Sequence, residues 1–111
     1  MSNITFDEWK KIEMKVGKIL KAERVPETDK LYKLQIDLGE KNIKQIVTGL
    51  VPYYKEDELI GKSIVVLANL TPATFKGEIS EGMLLCAEND ENNECVILTV
   101  DKSIKPGTPI T

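Results

Sequence analysis

From Tyr32 to Leu38 apolar and polar residues alternate, with Tyr32, Leu34, Ile36 and Leu38 on one side and Lys33, Gln35 and Asp37 on the other. A period of two predicts a β-strand with one face in a core and one in water. Gly39-Glu40-Lys41-Asn42 supplies turn chemistry, and a further strand is predicted over residues 43–49. The β pattern already begins at Met14, and it resumes over residues 62–69, 83–88 and 95–100, the last two joined by the turn residues 89–93. Two short helical stretches interrupt it. Thr5-Phe6-Asp7-Glu8 matches a capping box, which predicts a helix over residues 6–12. Phe6, Trp9 and Ile12 then share a face that plugs a barrel end or packs on a partner subunit. A helical turn is predicted around residues 57–59, closed by Gly61.

Five or more short strands with a small helix between the third and fourth predict an all-β chain. The layout is that of an OB-fold five-stranded barrel, with a β-sandwich as the competitor. One domain is expected over residues 1–111. Residues 64–68 and 83–87 are apolar at consecutive positions, so both faces of each strand need cover. A chain this short has little material to spare for that, which predicts a homodimer.

Histidine is absent from the 111 residues, which removes the usual general base and the commonest metal ligand. No catalytic residue, metal site or cofactor is expected. Cys86 and Cys95 have no metal-binding spacing and are expected to be reduced, packed thiols. The longest apolar runs are far shorter than the roughly 20 residues of a membrane span. The polar, acidic N-terminus does not read as a signal peptide, so no membrane partner and a cytoplasmic location are expected.

Net charge is −3, but it is unevenly spread. Residues 1–55 hold eleven Lys/Arg and eight Asp/Glu, whereas residues 56–111 hold four Lys and ten Asp/Glu. The basic surplus lies in Lys10, Lys11, Lys15, Lys18, Lys21 and Arg24, where it serves either a phosphate backbone or a strand edge protected against aggregation. Residues 69–83 read as a long loop between strands four and five, punctuated by Pro72, Gly77 and Gly82. Long loops on a rigid barrel often carry binding residues, and Asn69, Lys76, Ser80 and Met83 are the candidates here. Asn69 and Ser80 serve equally well to satisfy the loop's own backbone.

VGKILKAERV, DKLYKLQIDLG, KQIVTGL, LIGKSIVVLANLTPA and KGEISEGMLLCA resemble, in order and spacing, the tRNA-binding domain family. That domain occurs at the C-terminus of many methionyl-tRNA synthetases, in the cytokine-like synthetase cofactors of eukaryotes and as free-standing dimers. The resemblance implies an OB-fold, with the barrel over 14–100 and a C-terminal β extension over 101–111, that recognises tRNA shape and helps a methionyl-tRNA synthetase hold its substrate, without catalysis. It places RNA contacts at Asn69, Lys76, Ser80 and Met83, with Lys30 and Lys33 as phosphate neighbours. The chain departs from the pattern at Thr74, Lys76 and Glu81, and Glu78 adds a carboxylate near the phosphate path. Lys also lacks the bidentate fork of Arg, so modest affinity is expected. The acidic surface leaves a second reading open. CsaA-type proteins share the fold and the dimer and are described as export-related chaperones.

Overall fold

A computed structural model of the chain describes residues 2–111. Its main sheet is built from β1 (Met14–Arg24), β2 (Tyr32–Asp37), β3 (Ile43–Thr48), β4 (Ser63–Leu67) and β7 (Met83–Leu84), in the order β3-β2-β1-β4-β7. β1 curls around the core because its register slips between Ile19 and Lys21, a bulge that leaves Leu20 exposed. The predicted alternation holds on β2, where Tyr32, Leu34 and Ile36 are buried and Lys33, Gln35 and Asp37 only half so. Ile19, Leu34, Ile36, Ile46, Ile64 and Val66 fill a nearly closed, OB-like barrel. Leu50 and Leu59 seal it; Leu59 comes from α2 (Glu56–Leu59), the small helix between β3 and β4.

The remaining elements are short: β5 (Ala73–Phe75), β6 (Glu78–Ser80), β8 (Cys86–Asn89), β9 (Glu94–Ile97) and β10 (Pro109–Ile110). β10 is the C-terminal extension. It pairs with Met14 and Lys15 of β1, in the stretch before β2 begins to pair at Lys18.

Five expectations need correction. Residues 69–83 are not a loop throughout, because β5 and β6 form a hairpin within them. The expected strand over 83–88 changes partners at Leu85, so that β7 pairs with β4 and β8 with β9, and the expected strand over 95–100 ends as β9 at Ile97. The N-terminal helix α1 (Phe6–Trp9) has the predicted capping box but stops at Trp9. It plugs no barrel end, since Phe6 is 71% exposed and no residue of α1 is buried; the alternative expectation, packing on a partner subunit, stands.

On β4, Ile64 and Val66 point into the core while Val65 and Leu67 are half-buried. Val96, Leu98 and Ile104 are exposed. Both thiols are free and half-buried, and burial together with the neighbouring Cys95 pushes the Cys86 thiol up to about 12.

Candidate nucleic-acid interface

Three cross-strand rows define the outer face of the β1-β2-β3 sheet. Residues opposite one another in antiparallel strands share a face. Lys18 lies opposite Asp37, which lies opposite Ile43; Lys21 opposite Gln35, then Gln45; Glu23 opposite Lys33, then Val47. The buried Leu34, Ile36 and Ile46 occupy the other face, so these rows point away from the core. Lys18 and Lys21 are exposed, and the Gln35 Nε2 donates to Gln45 Oε1 at 3.0 Å in the middle of the face. The result is a polar surface of mixed charge, three lysines against Asp37 and Glu23, with an amide pair at its centre.

The hairpin of β5 and β6 borders that surface. Its two-residue connection, Lys76-Gly77, has φ of 52° and 82°, the type I′ geometry whose twist matches the strands. A left-handed lysine costs roughly 1 kcal/mol relative to a right-handed one. The exposed Lys76 therefore stands at the tip of a tight turn rather than on a wandering loop. Beside it, Lys33 Nζ pairs with Glu78 Oε2 at 3.3 Å, the one ion pair among the described residues, with side chains 24% and 29% exposed. Lys30 is exposed in the approach to β2, its carbonyl accepting from Val51 N at 3.1 Å.

Ser80 and Asn69 are occupied within the chain. β3 is the open edge of the sheet, and its N–H groups need acceptors. Val47 N donates to Ser80 Oγ at 3.0 Å, and Ser80 Oγ donates to the Gly82 carbonyl at 3.0 Å. Gln45 N donates to Glu81 Oε1 at 3.0 Å, while Glu81 N donates to the Gln45 carbonyl at 2.7 Å. Residues 80–82 thus close the seam between β3 and β7, and Ser80 is 5% exposed. Gly82 passes so close to β4 that a Cβ there would sit 2.8 Å from the Leu67 carbonyl oxygen. At Asn69, Oδ1 accepts from Glu13 N at 3.0 Å and Nδ2 donates to the Lys11 carbonyl at 2.6 Å. This exposed side chain pins the segment after α1 to the end of β4.

Met83, 48% exposed, rims a different feature: an apolar groove of about 310 Å³ between the end of β3 and the hairpin, lined also by Leu70, Phe75 and Leu84. The structure therefore gathers Lys33, Lys76, Ser80 and Met83 around one hairpin, with Asn69 turned toward the N-terminal segment. Sequence reasoning singled out Lys18 and Lys21 as charge but did not place them on this face, and it missed Gln35 and Gln45. Their signal was the wet side of the strand alternation.

A nearly closed barrel whose lysine-bearing outer face is flanked by a short hairpin belongs with small nucleic-acid-binding β-barrels. Residues 14–109 match the model of the putative tRNA binding domain family, and the chain belongs to that family. It is 46% identical over 110 residues to a methionine-tRNA ligase of Methanocaldococcus jannaschii, an alignment covering 99% of this chain and 17% of that one. The chain thus spans about a sixth of that relative's length. A MetRS-related protein from Pyrococcus horikoshii has the same fold, with a TM-score of 0.92 and 35% identity over 100% of both chains. The CsaA chaperone protein from Picrophilus torridus superposes with a TM-score of 0.88 at 32% identity, over 98% of this chain and 100% of that one.

Proposed function

We propose that the protein binds tRNA without acting on it chemically, and serves as a dimeric helper that raises a methionyl-tRNA synthetase's hold on its substrate. The observation that carries this reading is the exposed Lys18 and Lys21, on one sheet face with the half-buried Lys33 and flanked by Lys76, on a chain belonging to the putative tRNA binding domain family. Lysines are point charges suited to phosphates, and a sheet face whose three rows hold no aromatic side chain reads the shape of a folded RNA rather than stacked single-strand bases. Lys18, Lys21, Lys30, Lys33 and Lys76 meet phosphates, and Met83 meets the RNA at the groove rim. Asn69 and Ser80 contribute by holding those surfaces in place. The exposed Val96 and Leu98, with the half-buried Val65 and Leu67, support an apolar seam between two copies in the cytoplasm.

A second reading rests on the apolar groove and the likeness to the CsaA chaperone: Leu70, Phe75 and Met83 would hold an unfolded polypeptide. One competition experiment separates the two. The purified protein is offered fluorescent tRNA in the presence of duplex DNA or a denatured model protein, and its mass in solution is measured alongside. The tRNA reading expects displacement by unlabelled tRNA alone and a mass of two chains. Displacement by the denatured protein at lower mass than tRNA would replace it with the chaperone reading.

A further inference from the structure

A second cationic site lies at the end of the barrel, where the start of β1, the β2–β3 turn and the segment before β10 meet around a cleft of about 640 Å³. We propose that this cleft binds a phosphate-bearing nucleotide unit of the RNA backbone, a foothold that adjoins the outer sheet face at Asp37 and Ile43 but is built from other lysines; the proposal rests on the RNA reading above. Lys15, Lys41 and Lys105 line it, one from each of the three segments. Lys15 lies opposite Val66, which is 1% exposed, so it is on the inward side of β1 at the mouth of the barrel and is itself half-buried. None of the three is ion-paired among the described residues, where the one salt bridge is Lys33–Glu78. Three ammonium groups converging on one cleft without a lysine–carboxylate pair leave their donors free for a phosphate.

Two carboxylates also line the cleft. Asp37 is committed to the turn, since its Oδ1 accepts from Gly39 N at 2.8 Å; Glu40 sits exposed on the turn itself.

The frame that spaces the lysines is backbone on backbone. Asn42 N donates to the Gly39 carbonyl at 2.8 Å, closing a turn whose central residues, Glu40 and Lys41, have φ of 52° and 61°. A Cβ on Gly39 would lie 2.6 Å from the Pro106 carbonyl oxygen, and one on Gly107 would collide with the Leu38 carbonyl. Gly107 N in turn donates to the Val16 carbonyl at 2.7 Å. With no side chain between them, the turn carrying Lys41 and the segment carrying Lys105 are held at a fixed spacing. The exposed Leu20 and Ile43 supply an apolar wall for a ribose or base. A space of several hundred Å³ suits a nucleotide rather than a bare ion.

The test compares the full chain with a Lys15→Gln, Lys41→Gln, Lys105→Gln variant in tRNA binding across a salt series. Each lost phosphate contact should flatten the plot of log affinity against log salt by roughly 0.9, so the variant's slope should be shallower by about 2 to 3 and its low-salt affinity at least about tenfold lower. In a parallel NMR titration of the wild type, inorganic pyrophosphate should move the Gly39, Lys41 and Gly107 amide signals and leave them still in the variant. Should the triple variant not fold, Lys41→Gln alone, in the exposed turn, should flatten the slope by about 1. Wild-type affinity and slope in the folded variant, with no pyrophosphate response, would overturn the proposal. A pyrophosphate response in a protein that binds no tRNA would refute the RNA reading and leave a phosphate site for free nucleotides. A stronger response of the same amides to polyglutamate than to pyrophosphate would overturn it in favour of an acidic polypeptide.

Discussion

Replacing Ser80 by Ala separates a residue that touches RNA from one that builds the surface RNA touches. The hydroxyl accepts from Val47 N and donates to the Gly82 carbonyl, at 5% exposure. Alanine fills nearly the same space but leaves a buried donor and a buried acceptor unpaired. An orphaned buried N–H costs about 1–3 kcal/mol, and the carbonyl, with a second lone pair, costs less, so a loss of about 2–3 kcal/mol is expected. For a chain of this size each kcal/mol moves the melting temperature by roughly 3–6 °C, which puts the shift near 10 °C. Thermal unfolding followed by circular dichroism reads the shift, and hydrogen exchange at Val47 N–H reads its location. Binding of tRNA at a temperature where the variant is folded should fall only severalfold. A melting temperature within about 2 °C of wild type would refute the role of the Ser80 hydroxyl in closing the seam between β3 and β7. If tRNA binding were lost at the same time, the hydroxyl would have to contact RNA directly.

Glu78→Gln frees Lys33 from the ion pair; a partly exposed pair is worth about 1 kcal/mol or less, so stability should hardly change while tRNA affinity rises severalfold at low salt, as read by fluorescence anisotropy. An affinity that stays the same or falls would show that Glu78 does not compete with phosphate. Asn69→Ala removes both bonds to the segment after α1 and should raise hydrogen exchange at Glu13 N–H, with a stability loss of about 1 kcal/mol because the site is exposed. The Cys86 thiol, pushed up to about 12 from an ordinary 9.0, should alkylate more than about tenfold slower at pH 8.5 in the native than in the unfolded protein. Because its folded pKa is raised, its contribution to stability is whole below pH 9 and is lost as pH rises toward 12, which urea titrations across that range would detect.

Much of the barrel was legible because each strand has one dry face. Tyr32, Leu34 and Ile36 announce β2, and the capping box at Thr5 and Glu8 announces α1. The hairpin of β5 and β6 was not legible, since all three residues of β5 are exposed and neither strand alternates, while Lys76-Gly77 is a weaker turn signal than Asn-Gly. The partner change at Leu85 leaves no mark in an unbroken apolar run: Leu85 N donates to the Val65 carbonyl, and its own carbonyl accepts from Leu98 N. Ser80 and Asn69 illustrate a different limit. A hydroxyl or an amide suits RNA and backbone equally well, and the backbone partners of these two come from residues far away in sequence. Lys18 and Lys21 were visible as charge, but their place beside Lys33 depends on register across a bulge that the residues do not reveal.

The most direct test of the central claim is the salt dependence of tRNA binding by the wild type and by a Lys18→Gln, Lys21→Gln, Lys33→Gln variant. If the outer face carries the phosphates, the log–log slope should be shallower by about 2 to 3 in the variant, with the melting temperature retained. Equal slopes in two folded proteins would contradict it and move the RNA, or the function, elsewhere on the molecule.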